Sequence, residues 1–176
     1  MPEEKTSEDF FTIPDEKLID VYDVALEKKV ESLCLWGAAR AAAVVVMPFL
    51  GTMALIANEV YLVKKIGDLH KQKLSESVVL GFIASLGASV VGSTIATIIP
   101  YSPMKIAVAA SLTYGIGKSA HEWLKAGRPD DMTIFKKVFK EAQKDITRNI
   151  KKILEHPDRS KPLGDEQKDF RNEKDV

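Results

Sequence analysis

Residues 77–104 read SVVLGFIASLGASVVGSTIATIIPYSPM, 28 positions without a charged side chain. Written as a helix at about 1.5 Å per residue, Val78 to Ile99 would run roughly 33 Å, the thickness of a bilayer's hydrocarbon. Pro100 and Pro103 stop it, because proline lacks the amide hydrogen that would continue the ladder. A returning helix is expected over 104–124, closed by Gly127 and Pro129. Together they form an apolar hairpin, 76–125. Ala84, Ala88, Gly92 and Ala96 recur every fourth residue on its first arm, and Ala107, Ser111, Gly115 and Ser119 on its second. Such columns of small side chains let two backbones approach closely, so the arms are expected to pack on one another.

A second apolar hairpin, 33–69, precedes it. From Leu33 to Val46 the chain is apolar on nearly every face, broken by Arg40 alone. Pro48 and Gly51 mark the turn, and a helix follows over 52–69. Arg40 and Glu59 lie nine or ten residues to either side of Phe49 and Leu50, hence at one level of the hairpin. They are expected to pair across it, since a lone buried charge is costly. Upstream, Leu18, Ile19, Tyr22, Ala25, Leu26, Val30 and Leu33 repeat at three and four residues, the stripe of an amphipathic helix beginning near Thr12 to Asp15.

Downstream, Asp131 or Thr133 can cap a helix over 131–155. Ile134, Phe135, Val138, Phe139, Ala142, Ile146, Ile150, Ile153 and Leu154 make one face of it. Lys136, Lys137, Lys140, Lys144, Arg148, Lys151 and Lys152 make the other. That helix can cover the core, lie on an anionic membrane or dock on a partner. Residues 1–11 and the charged tail 156–176 read as disordered. The expected fold is all-α: two consecutive helical hairpins within a single domain, 12–155, with an amphipathic segment before them and a cationic amphipathic helix after.

The charges balance, 25 basic against 25 acidic, which argues against a nucleic-acid binder with its concentrated positive surface. They are unevenly spread: residues 1–33 hold ten acidic and four basic side chains. Lys64, Lys65, Lys71, Lys73, Lys118, Lys125 and Arg128 fall at the hairpin ends away from the turns, with Lys105 the exception. The pattern describes a double wedge, apolar at the bends and basic at the opposite end, which a cytoplasmic membrane face would orient. The single cysteine, Cys34, excludes an internal disulfide, and the acidic N-terminus does not read as a signal peptide.

Catalytic patterns are few. His70, His121 and His156 are far apart in sequence with no ligand at metal spacing beside them, so neither metal nor cofactor is expected. Tyr114-Gly115-Ile116-Gly117-Lys118-Ser119 shares its ending with a phosphate-binding loop but lacks the first glycine and the strand-to-helix setting. Its glycines are assigned to close packing, and the chain is read as no enzyme.

Ala38-Ala39-Arg40-Ala41-Ala42-Ala43, Met47-Pro48-Phe49-Leu50-Gly51-Thr52, Leu74-Ser75-Glu76 and Ala84-Ser85-Leu86-Gly87 follow one another in the order of a known family. With Thr113-Tyr114-Gly115-Ile116-Gly117-Lys118 and Ala120-His121-Glu122-Trp123-Leu124, the stretch 34–125 resembles the YcjF-like domain of unknown function attached to bacterial GTPases. Pro100-Tyr101-Ser102-Pro103 departs from the glycine-rich second turn of many relatives. The resemblance implies a bacterial origin, membrane association in some members and a GTPase partner. Taken together, the expectation is a membrane-associated accessory or scaffold module on the cytoplasmic face of the bacterial membrane. It would bind lipid, work with a separately encoded GTPase and be capable of self-association. The alternative is a soluble cytoplasmic helical bundle that binds another protein.

Overall fold

The computed structural model describes residues 15–46, 51–87 and 102–156, and every element in them is helical. The helices are α1 (Asp15–Val44), α2 (Gly51–Leu69), α3 (Glu76–Ser85), α4 (Ser102–Lys125), α5 (Thr133–Arg148) and α6 (Ile150–Leu154). The turns at Pro48 and Pro100 lie outside the described residues, as do Ala88, Gly92 and Ala96. Gly51 and Pro103 open α2 and α4 as first-turn residues.

The core forms around α1, and composition explains why. Tyr22 and Ala25 of the stripe expected in its first half are exposed, whereas Val30, Cys34, Ala38, Ala39, Ala41 and Ala42 are all fully buried. Small residues on several faces allow α1 to be contacted on several sides, by α2, α4 and α6. Gly37 admits Leu62 of α2, and Gly117 of α4 lies against Cys34 and Leu62 so closely that a Cβ would meet the Cys34 sulfur at 2.6 Å. Asn58 Nδ2 donates to the Gly37 carbonyl at 2.9 Å, fixing the register of α1 on α2. Ala41, Leu55 and Ala109 meet as a second small cluster where the three helices converge.

Local chemistry ends each element. Gly67 closes α2: Gln72 N–H bonds its carbonyl at 2.8 Å while Lys71 takes the left-handed φ of 57°. At this site a Cβ on Gly67 would strike the Gln72 oxygen, so glycine is required. Ser75 caps α3 through its hydroxyl, which accepts from Val78 N–H. Asp131 accepts from Thr133 N–H at 2.9 Å ahead of α5.

Two expectations about length are corrected. The continuous helix expected over Val78–Ile99 does not form: α3 stops at Ser85, where Gly87 adopts φ +78° and bonds back to the Ala84 carbonyl. Among the described residues no helix is long and apolar enough to cross a membrane. The amphipathic stretch over 131–155 is interrupted at Asn149, whose side chain donates to the Asp145 carbonyl and whose backbone leaves the helical region.

Candidate functional site

The bundle has two chemically opposite ends. At one, α1 and α4 run antiparallel, so carboxylates one turn apart on α1 face hydroxyl, imidazole and ammonium groups on α4. Tyr114 Oη donates to both oxygens of Glu31 at 2.8 and 2.9 Å, and Lys118 Nζ stands 3.4 Å from the same carboxylate. One turn on, His121 Nε2 is 2.8 Å from Glu27 Oε1, and Lys125 Nζ is 3.6 Å from that oxygen. The other ring nitrogen of His121 is 2.9 Å from Nε2 of His70, delivered by the end of α2. The result is a relay Glu27–His121–His70 in which the middle ring is 1% exposed. Gln72 Nε2 completes it by donating to the Leu124 carbonyl.

The electrostatics follow. Burial works against the Glu27 carboxylate, but the hydrogen bond with His121 and the charges of His121, Lys118 and Lys125 outweigh it and hold its pKa below the ordinary value. His70 is pushed down, first by burial and then by the neighbouring His121 and Lys125. The Tyr114 phenol is pushed up by burial and by its hydrogen bond to Glu31. Burial likewise raises the Cys34 thiol, which keeps it unreactive. Sequence separation hid this cluster. The histidines are 51 residues apart, and only the antiparallel registers of α1 on α4 and α2 on α1 unite them. The spacing of Tyr114, Lys118, His121 and Lys125 at three and four residues was the available signal.

Glu27, His121 and Glu122 could each turn a ligand atom toward one point, with all three atoms within 4.8 Å. Lys125 already supplies positive charge to Glu27 there. The hydrogen-bonding partners of the histidine pair, among the described residues, are each other and Glu27.

The opposite end is apolar and open. Val46 at the close of α1, Met53 and Ile56 on α2 and Met104 on α4 are 45%, 74%, 45% and 59% exposed. The segments joined to these helix ends, 47–50 and 88–101, contain no charged residue. α5 runs antiparallel to α4: Ser119 donates to the Phe135 carbonyl at 3.0 Å, whereas Gly115 abuts Phe139 and Gln143. The basic end of α5 therefore approaches the Met104 end of α4, with α6 following against α1.

The small-residue column of α4 is thus used differently from the expectation. Gly115 and Ser119 receive the aromatic face of α5, and Ser111 turns its hydroxyl to the Val108 carbonyl within its own helix. Ala107 is half-buried and Ala84 of α3 is exposed. Phenylalanines need a flat, small-residue surface, and α5 brings Phe135 and Phe139 to one. Gly115 to Ser119 lie inside a regular helix, not at a helix start where backbone amides could cradle phosphate.

The Arg40–Glu59 pair is also corrected. Both side chains are buried, at 3% and 8% exposure, but no ion pair joins them among the described residues. Arg40 instead lies one turn from Trp36 and places its guanidinium 5.0 Å over that ring, which in turn meets Tyr61. Glu59 is left to burial, which pushes its carboxyl up to about 8. Of the basic row, Lys136, Lys137, Lys140, Lys144, Arg148, Lys151 and Lys152 are all exposed. The apolar face opposite them, Phe135, Phe139, Ala142, Ile146 and Ile153, is buried in the bundle.

Comparison with family models, curated proteins and solved structures finds no match. Fold and site define the class, an all-α bundle with one polar and one apolar end.

Proposed function

We propose that the protein is a peripheral membrane module, an accessory or scaffold without chemistry of its own, which seats its apolar end in the outer layer of a bilayer. The observation that carries this is the gathering of Val46, Met53, Ile56 and Met104, all exposed, on three helix ends joined to uncharged chain. Exposed apolar residues scattered singly need no explanation, whereas a cluster at one end marks an interaction site. Insertion here is shallow, by the helix ends. At the other end the relay has no hydroxyl or thiol nucleophile hydrogen-bonded to it among the described residues, which supports a structural role for His70 and His121. The partner held at the membrane would be, on the family resemblance, a separately encoded GTPase.

Flotation of the purified full chain with lipid vesicles tests the reading. Binding is expected for the native chain and strong loss for the double variant Met53→Ser, Met104→Ser. A native chain that stays at the bottom of the gradient would refute it.

A further inference from the structure

Resting on that reading, a second feature of the same end specifies the lipid. Lys144, Arg148, Lys151 and Lys152 recur at three and four residues through the end of α5 and into α6, and all four are exposed. Contacts fix the direction in which this stripe runs. Ser119 meets Phe135, and Gly115, one turn earlier on α4, meets Phe139, one turn later on α5. Continuing this antiparallel register carries Arg148 to the level of the first turns of α4, which include exposed Met104 and half-buried Lys105, and beyond the break at Asn149 α6 packs on α1 and α4. Acidic groups on α5 are Glu141 and Asp145, and Glu155 follows α6 directly, fewer than the seven cations of the two helices.

The apolar side of α5 and α6 is mostly not available for burial in lipid. Phe135, Phe139, Ala142 and Ile146 cover α4, and Ile153 is fully enclosed. Most of the apolar face is thus spent on the bundle, although Ile134 and Leu154, expected on the same face, are 67% and 38% exposed, and what the two helices chiefly present to solvent is their charge. Positive groups flanking an apolar tip are the arrangement that suits an interface where acyl chains sit below anionic headgroups. We infer that the end of the bundle formed by Val46, Met53, Ile56 and Met104, flanked by Lys144, Arg148, Lys151 and Lys152, docks on anionic bilayers. The cations select headgroup charge while the methionines enter the acyl boundary.

The test uses the full chain with two vesicle types, pure phosphatidylcholine and phosphatidylcholine mixed with phosphatidylglycerol. Native protein should prefer the mixed vesicles and lose that preference as salt rises. The triple variant Arg148→Gln, Lys151→Gln, Lys152→Gln should lose roughly a hundredfold in partitioning to mixed vesicles, the sum of three surface cations. Lys136→Gln, Lys137→Gln, Lys140→Gln removes equal charge from the start of the same helix and should lose only about a few-fold, because those side chains stand farther from the surface than a screening length. All six residues are exposed, and circular dichroism of each variant checks that the helices remain. Equal binding to both vesicle types overturns the anionic selectivity and leaves the membrane reading standing. Equal losses in the two triple variants overturn the placement of the contact. Binding to neither vesicle, with methionine-dependent dimers in sedimentation, overturns both in favour of a second copy of the chain.

Discussion

The same three helices, α1, α2 and α4, build both ends of the bundle, and they treat polar groups in opposite ways. Around Glu27, Glu31 and His121 each charge has a partner within hydrogen-bond or ion-pair distance, supplied by another helix. Toward the other end Glu59 is buried and meets no opposite charge among the described residues. Asn58 satisfies its amide but, among the described residues, leaves its carbonyl oxygen without a partner, as Thr113 leaves its hydroxyl. The contrast teaches that the polar end is held by specific pairing and the apolar end by packing of small residues, with polar groups tolerated there at a cost.

That difference predicts opposite responses to pH, and Glu59 should give the largest. Its folded pKa is raised from 4.5 to about 8, so the native state holds the proton more tightly than the unfolded chain does. Stability from this group is complete below about pH 4.5 and declines as pH rises through 8. Glu59→Gln keeps the neutral shape and should be more stable than the native chain by about 4 kcal/mol at pH 9, with little difference at pH 4. Urea unfolding at the two values measures this. An unchanged difference between them would show that Glu59 is solvated. At the polar end the sign reverses: His70 and Glu27 both have lowered folded values, so acidification costs stability, first below the ordinary histidine pKa and then below that of a carboxylic acid.

His121→Ala should have the next largest effect, a loss of about 3 kcal/mol at neutral pH. It opens a cavity where a ring is 1% exposed and removes hydrogen bonds to Glu27 and His70 together. A melt displaced by only a degree or two would make the relay an accessory of a fold secured elsewhere. Tyr114→Phe is milder. It preserves the buried ring and deletes one hydroxyl donating to a half-exposed carboxylate, for about 1 kcal/mol. Denaturant titration against the native chain resolves that difference, and no loss at all would place the Glu31 contact among those water replaces freely.

How much of this could be read before folding depends on whether a feature is periodic or pairwise. The stripes of α1 and α5 and the glycine at the end of α4 announce themselves in spacing, because a helix repeats every 3.6 residues whatever it packs against. Phe135, Phe139, Ala142 and Ile146 were legible as a face for that reason. The face they would cover was not, since Ala107, Ser111, Gly115 and Ser119 form an equally good seat for any helix. The His70–His121 contact depends on two inter-helix registers and left no mark in either segment. Arg40 and Glu59 show the limit from the other side: counting residues from a turn gives depth, but the direction of a side chain needs the rotation of each helix, which Trp36 and Tyr61 settle through their aromatic contact.

The smallest expected effect sharpens the comparison most. Met53→Ser with Met104→Ser removes two large apolar side chains that are 74% and 59% exposed. Were they part of the packed structure, the pair would cost several kcal/mol, as buried methionines do. Exposed as they are, the double variant should melt within about 0.5 kcal/mol of the native chain. Serine lowers helix propensity slightly at each site, so a small loss is the expected direction. Near-neutral stability matters because it separates the reasons a sequence can have for keeping methionine at those positions. Folding does not need them there, and water opposes them, so their value must come from something that covers them. A loss as large as that of His121→Ala would instead mean that the apolar end is closed in solution, and the difference between the two ends would then be one of composition alone.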